Sequence, residues 1–149
     1  MTEHEEHRES AVVRPASSAD RTGITRLLRH LHAAGAEGTT LPRVRQEAQT
    51  FVATKDEQVA GLVVATLVDY GIEAYGTVEE LVVEPGSRGR GLGRSLLDRG
   101  LSWLAASGAE VVFVSALDED VVTFYASAGF TPCTGPWLAW VPNRNPACE

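Results

Sequence analysis

From Ile24 the apolar positions Ile24, Leu27, Leu28 and Leu31 recur at three- and four-residue steps, the spacing of an amphipathic helix. Asp20 is its candidate cap and Gly35 its candidate stop. Ahead of it, Ala11-Val12-Val13-Arg14 reads as a short apolar strand ended by Pro15. Leu41 to Gln49 is predicted to form a second, short helix after Pro42. Thr50 to Thr54 and Val59 to Val68 are rich in β-branched residues and flank the polar turn Lys55-Asp56-Glu57-Gln58, which predicts a hairpin. Thr77 to Val83 is a further strand, ended by Glu84-Pro85-Gly86. Leu92, Leu96, Leu97, Leu101 and Leu104 then share one helical face closed by Gly108, and the apolar run Val111 to Val114 predicts a strand buried on both sides. A last helix is predicted from Asp118–Asp120 to Gly129, carrying Val121, Val122, Phe124 and Tyr125. Phe130 to Val141 is assigned one or two closing strands. The pattern is that of an α/β domain (α+β by some schemes), with a mixed, mostly antiparallel sheet, a late parallel crossover and about four flanking helices.

The 149 residues suit one domain, placed at residues 11–141. Residues 1–10 hold four Glu and no apolar side chain after Met1, so they are read as a disordered acidic tail, and residues 142–149 as a loose C-terminal tail. The net charge of −7 argues against nucleic acid and anionic membranes as partners, since both need a dominant positive field. Two cysteines, Cys133 and Cys148, are too few for a disulfide framework or a zinc site, and no metal is expected. With no apolar run of 18 residues and no apolar stretch behind a basic start, neither a transmembrane helix nor a signal peptide is expected, and the default location is cytoplasmic.

Charge changes the picture at one place. Residues 86–99 hold Arg88, Arg90, Arg94 and Arg99 against Asp98, a net of +3 that leaves −10 for the rest of the chain. The same stretch carries Gly86, Gly89, Gly91 and Gly93 between a strand and a helix. Glycine in a helix costs about 1 kcal/mol relative to alanine, so Gly91 and Gly93 near a helix start need a reason. Close approach of an anion to unpaired N–H groups supplies one. A P-loop would need a Gly-Lys-Ser/Thr sequence that is missing, and a dinucleotide fingerprint starting at Gly89 would need a small residue where Arg94 stands.

Arg88-Gly89-Arg90-Gly91-Leu92-Gly93 resembles the signature of the GCN5-related N-acetyltransferase (GNAT) family. The flanking Glu79-Glu80-Leu81-Val82-Val83-Glu84-Pro85 and Phe124-Tyr125-Ala126-Ser127-Ala128-Gly129-Phe130 resemble that family's preceding strand and last helix. The resemblance implies acetyl-coenzyme A as co-substrate, with its pyrophosphate on the backbone N–H groups from Arg88 through Gly89, Arg90, Gly91 and Leu92 to Gly93. Arg94 would sit beside it and the backbone of Val83 would meet the pantetheine arm. The family often carries Asn seven residues before the tyrosine. Asp118 stands there in this chain, and a carboxylate accepts a hydrogen bond or caps a helix but cannot donate like an amide.

Acetyl transfer to an amine needs an unprotonated nucleophile, and an alkylamine of pKa near 10.4 is about 99.9% protonated at pH 7. Glu79 and Glu80 are the candidate bases. Strand alternation would send them to opposite faces, so one would face the acceptor. The resemblance makes either position acidic in the family; Glu79 is favoured slightly, with solvent as a third acceptor of the proton. Tyr125 is the implied acid, donating to the departing thiolate. Tyr70, Tyr75, Trp137 and Trp140 are candidate walls of the acceptor cleft or core residues. The function so implied is N-acetyl transfer from acetyl-coenzyme A to a primary amine of a small molecule or protein, directly within a ternary complex. The alternatives are a non-catalytic acyl-coenzyme A binding module, which would need neither Glu79 nor Tyr125, and a sensor of another phosphate ligand. A homodimer through C-terminal strands is left open.

Overall fold

The computed structural model of the chain describes residues 11–135 and 137–142. By internal contacts the chain divides into two compact units, Met1–Ser115 and Ala116–Glu149.

The first unit holds α1 (Arg21–Leu28), β1 (Arg45–Lys55), β2 (Gln58–Asp69), β3 (Tyr75–Val83), α2 (Leu92–Ala106) and β4 (Val111–Val114). The four strands lie side by side in the order β1-β2-β3-β4. β1 and β3 run antiparallel to β2, and β4 runs parallel to β3. The β1–β2 turn has two residues, Asp56 and Glu57, both at positive φ (51° and 62°), the backbone of a type I′ hairpin turn. β3 and β4 are parallel because α2 carries the chain back across the sheet, as the late βαβ pattern predicts.

α2 can settle on the sheet because two strand glycines lie beneath it. A Cβ on Gly76 would fall 2.6 Å from Cδ2 of Leu104, and one on Gly61 2.9 Å from Cδ1 of Leu96. Val63, Ala65 and Leu67 of β2 and Leu97 and Leu104 of α2 are fully buried, each large side chain contributing about 1.5–3 kcal/mol by burial. The covered face of β2 is therefore that of Gly61, Val63, Ala65 and Leu67; Leu62, Val64, Thr66 and Val68 stand on the other.

The second unit contains α3 (Glu119–Ser127). Asp118 caps it, Oδ1 accepting from the Val121 N–H at 3.0 Å. Gly129, at φ 98°, ends it in the left-handed conformation that suits glycine. Within the unit the Tyr125 ring meets Phe124 and Phe130 edge-on, at centroid distances of 5.2 and 5.3 Å.

Several expectations need correction. Ala11 to Arg14 is not a strand, and Val12 and Val13 are exposed. The expected helix over Leu41–Gln49 does not form; β1 starts at Arg45 and takes most of that stretch. Gln46, Ala48 and Thr50 alternate with Glu47, Gln49 and Phe51 as a strand requires, and pairing with Ala65–Val68 overrides their weak local preference. α1 ends at Leu28 instead of Gly35. β4 is an outer strand with Val111 exposed, not one buried on both sides. Phe130–Val141 holds no strand among the described residues, which contain three α-helices rather than about four. The two tails assigned to residues 1–10 and 142–149 fall outside the described residues, save Pro142.

Candidate functional site

β3 outlasts its parallel partner. The β3–β4 ladder ends at Val78 and Val114, so among the described residues Glu80–Val83 pair with β2 alone. Glu84 N–H turns toward β2 and donates to the Ala60 carbonyl at 2.8 Å. Strand geometry then points both N–H and C=O of Val83 to the open edge. The Val83 carbonyl accepts from Nε of Arg88 at 3.2 Å.

Past Val83, Pro85–Ser87 make one 3₁₀ turn, and Gly89 and Gly91 follow at φ 79° and 78°. Gly91 is the N-cap of α2, and among the described residues no side chain closes that end. The first intrahelical bond is Ser95 N–H to the Gly91 carbonyl, 3.0 Å. The amides of Leu92 and Gly93 therefore precede the helical ladder, at the positive end of a 15-residue helix. A Cβ at Gly86, Gly89 or Gly91 would meet nothing within 4 Å among the described residues, so the loop faces space that their side chains do not fill. These unpaired donors fit a diphosphate.

The four arginines of this stretch have different tasks. Arg94 pairs with Asp98 at 2.9 Å, and the Arg99 guanidinium lies 4.4 Å above the Phe51 ring of β1. Arg88 braces the end of β3, and Arg90 is exposed with no ion-pair partner among the described residues. The charge that faces the loop is therefore less than the count of four implies.

A β-bulge decides the direction of the two glutamates. Ala65 pairs with Val78 and Val64 with Glu80, so Glu79 is the extra residue. Glu80 shares the face of Val64, and Oε1 of Glu79 accepts from Oγ1 of Thr66 at 2.6 Å. Both carboxylates thus project from the sheet face away from α2. The expectation that alternation would separate them fails because a bulge suspends the two-residue period. Tyr75 and Phe113 meet on this face, rings 6.0 Å apart. Thr66 had no sequence signal: its partner is set by a register that residue types do not encode.

In the second unit Tyr125 is 7% exposed, and burial pushes its phenol above the ordinary value. No buried side-chain polar atom lacks a partner among the described residues, so its hydroxyl, which makes no hydrogen bond there, is open to solvent or ligand. Asp118 spends one oxygen on the α3 cap. Trp137 and Trp140 are exposed.

The family model of the acetyltransferase (GNAT) domain matches residues 46–132, more than half of the chain. The chain belongs to the GNAT acetyltransferase family. Two curated relatives of this chain are mycothiol acetyltransferases. That of Beutenbergia cavernae is 43% identical over 61 residues, which is 40% of this chain and 20% of the relative. That of Geodermatophilus obscurus is 40% identical over 65 residues, 42% and 21%. The chain thus spans about a fifth of their length. Among solved structures, an aminoglycoside acetyltransferase from an uncultured soil metagenomic sample, in complex with trehalose, is similar at 17% identity and TM-score 0.58, over 87% of this chain and 93% of that one. A transcriptional regulator from Bacillus halodurans is similar at 16% identity and TM-score 0.57, over 89% and 99%. These two neighbours are described differently while they share the fold, so activity has to be argued from the site. Among the described residues no helix is long and apolar enough to cross a membrane, and no three His, Cys, Asp or Glu side chains gather as a metal site.

Proposed function

We propose that the protein is an N-acetyltransferase that moves the acetyl group of acetyl-coenzyme A to a primary amine of a small molecule or protein. The reading rests on the loop from Arg88 to Gly93, where two left-handed glycines and an uncapped helix start present unpaired amides to open space. Acetyl-coenzyme A supplies an activated thioester. The amides of Leu92 and Gly93 receive its diphosphate, and the open-edge N–H of Val83 donates to its amide-bearing arm. A carboxylate of Glu79 or Glu80 accepts the proton of the acceptor ammonium before attack, and the Tyr125 hydroxyl donates a proton to the leaving thiolate. No covalent enzyme intermediate is needed, since proximity of two bound substrates suffices for direct transfer.

The test is release of free thiol from acetyl-coenzyme A across an amine library, with the acceptor of mycothiol acetyltransferases as its first member. Thiol release that depends on one amine class supports the enzyme. Calorimetric binding of coenzyme A without turnover on any amine would convert the reading to an acyl-coenzyme A binding module. No binding at millimolar coenzyme A would remove both.

A further inference from the structure

We propose that Thr66 is a positioning residue that selects Glu79 over Glu80 as the proton acceptor; the inference rests on the acetyltransferase reading above. The bulge gives both carboxylates the same face, so direction alone does not choose between them. Their surroundings do. Glu80 stands opposite Val64, an apolar neighbour with nothing to hold a carboxylate. Glu79, left without a cross-strand partner, is instead caught by Thr66 at 2.6 Å, within the range of a charge-assisted O–H···O⁻ bond. Thr66 suits that task. It is β-branched and so stiff at χ1, and its strand is paired on both sides, with Ala48 of β1 and Thr77 of β3.

A long side chain on an exposed strand samples many rotamers, and fixing one of its oxygens fixes the other. With Oε1 tied to Thr66, Oε2 makes no hydrogen bond among the described residues and is the atom left to take a proton from the acceptor ammonium, directly or through one water. Thr66 itself touches neither substrate. It acts through the geometry of Glu79.

The experiment compares steady-state kinetics of the full chain with Glu79→Gln, Glu80→Gln, Thr66→Val, Thr66→Ser and the double variant Thr66→Val/Glu79→Gln. Valine keeps the shape and the strand preference and removes only the hydroxyl, and melting curves check that each variant is folded. Glu79→Gln is expected to lower kcat by about 10² and Thr66→Val by about tenfold, within the range that general base catalysis supplies. The Michaelis constant for acetyl-coenzyme A should stay within twofold. Serine should restore most of the rate, and in the Glu79→Gln background valine should cost nothing further. A Thr66→Val rate equal to the parent's, a failure of serine to rescue, or an equal loss in both backgrounds overturns the proposal. A parent-like Glu79→Gln overturns it by removing the base on which Thr66 would act. Loss of turnover in every variant together with loss of coenzyme A binding would instead count against the acetyltransferase site itself.

Discussion

Arg88 reaches back over its own loop to the carbonyl of Val83, Nε to O 3.2 Å. This one bond ties the entrance of the anion loop to the free end of β3, so the strand edge and the helix start are held as a unit. It also occupies the Val83 carbonyl, leaving the N–H as the edge group open to a ligand. Removing the guanidinium should loosen this link and lower the local positive charge together. Arg88→Ala is expected to weaken coenzyme A binding by about tenfold at low salt, as loss of one charge-assisted hydrogen bond implies. It should also flatten the dependence of affinity on ionic strength. Calorimetry at two salt concentrations reads both; an unchanged affinity would place Arg88 outside the site.

Gly91 offers a test in which strain and ligand are separable. A Cβ there meets nothing within 4 Å, so Gly91→Ala fails only through its φ of 78°, which costs an L-residue about 1–2 kcal/mol. The free protein should lose about that much stability. Coenzyme A affinity should fall further than the strain explains if the loop backbone has to keep this shape around a diphosphate. Denaturant melts with and without coenzyme A measure the two terms, and equal losses in both would mean that the loop does not hold the ligand.

Leu104 is fully buried against Ala65 and Leu67, and Gly76 lies directly beneath it. Leu104→Ala should cost about 2–5 kcal/mol by opening a cavity. Gly76→Ala should cost about 1–3 kcal/mol by overpacking the same space. Combined, they should be less destabilising than their sum, because the new methyl fills part of the space vacated. Strict additivity in urea melts would show that α2 does not sit on β3 through this pair.

What the sequence revealed followed the strength of its local signals. The β3–α2–β4 crossover was legible because leucine spacing, the glycine turn and Val111–Val114 all agree. The glycine turn between β3 and α2 was legible because four glycines within eight residues are costly inside a regular element. The bulge at Glu79 was not, since it arises from pairing with Val64 and Ala65, residues fifteen and fourteen positions away. For the same reason Leu41 to Gln49 read as a short helix after Pro42, and yet its residues from Arg45 onward entered β1: their helical preference is weak, and the partner strand β2 is long and apolar. Arg99 looked like part of an anion site and turned out to lie over Phe51, a contact that only the folded sheet creates.

Tyr125 joins the chemistry to a pH dependence. Tyr125→Phe removes one hydroxyl and keeps the ring, so the edge-on contacts with Phe124 and Phe130 and coenzyme A affinity should persist. If the phenol protonates the leaving thiolate, kcat should fall by about 10² to 10⁴, a barrier increase of roughly 3–5 kcal/mol. Burial raises the phenol's pKa in the folded chain, whereas the unfolded chain titrates near the ordinary value of about 10. Below that pH both states keep the proton and the group adds no slope. Above it the unfolded state loses its proton first, so the parent should lose stability from about pH 10 up through the raised folded value. Tyr125→Phe should lack that component of the loss. Urea melts between pH 8 and pH 11 and rates at saturating acceptor, expected on the order set by these two effects, check each separately. A rate within twofold of the parent would assign Tyr125 to packing alone and leave the thiolate's proton to solvent.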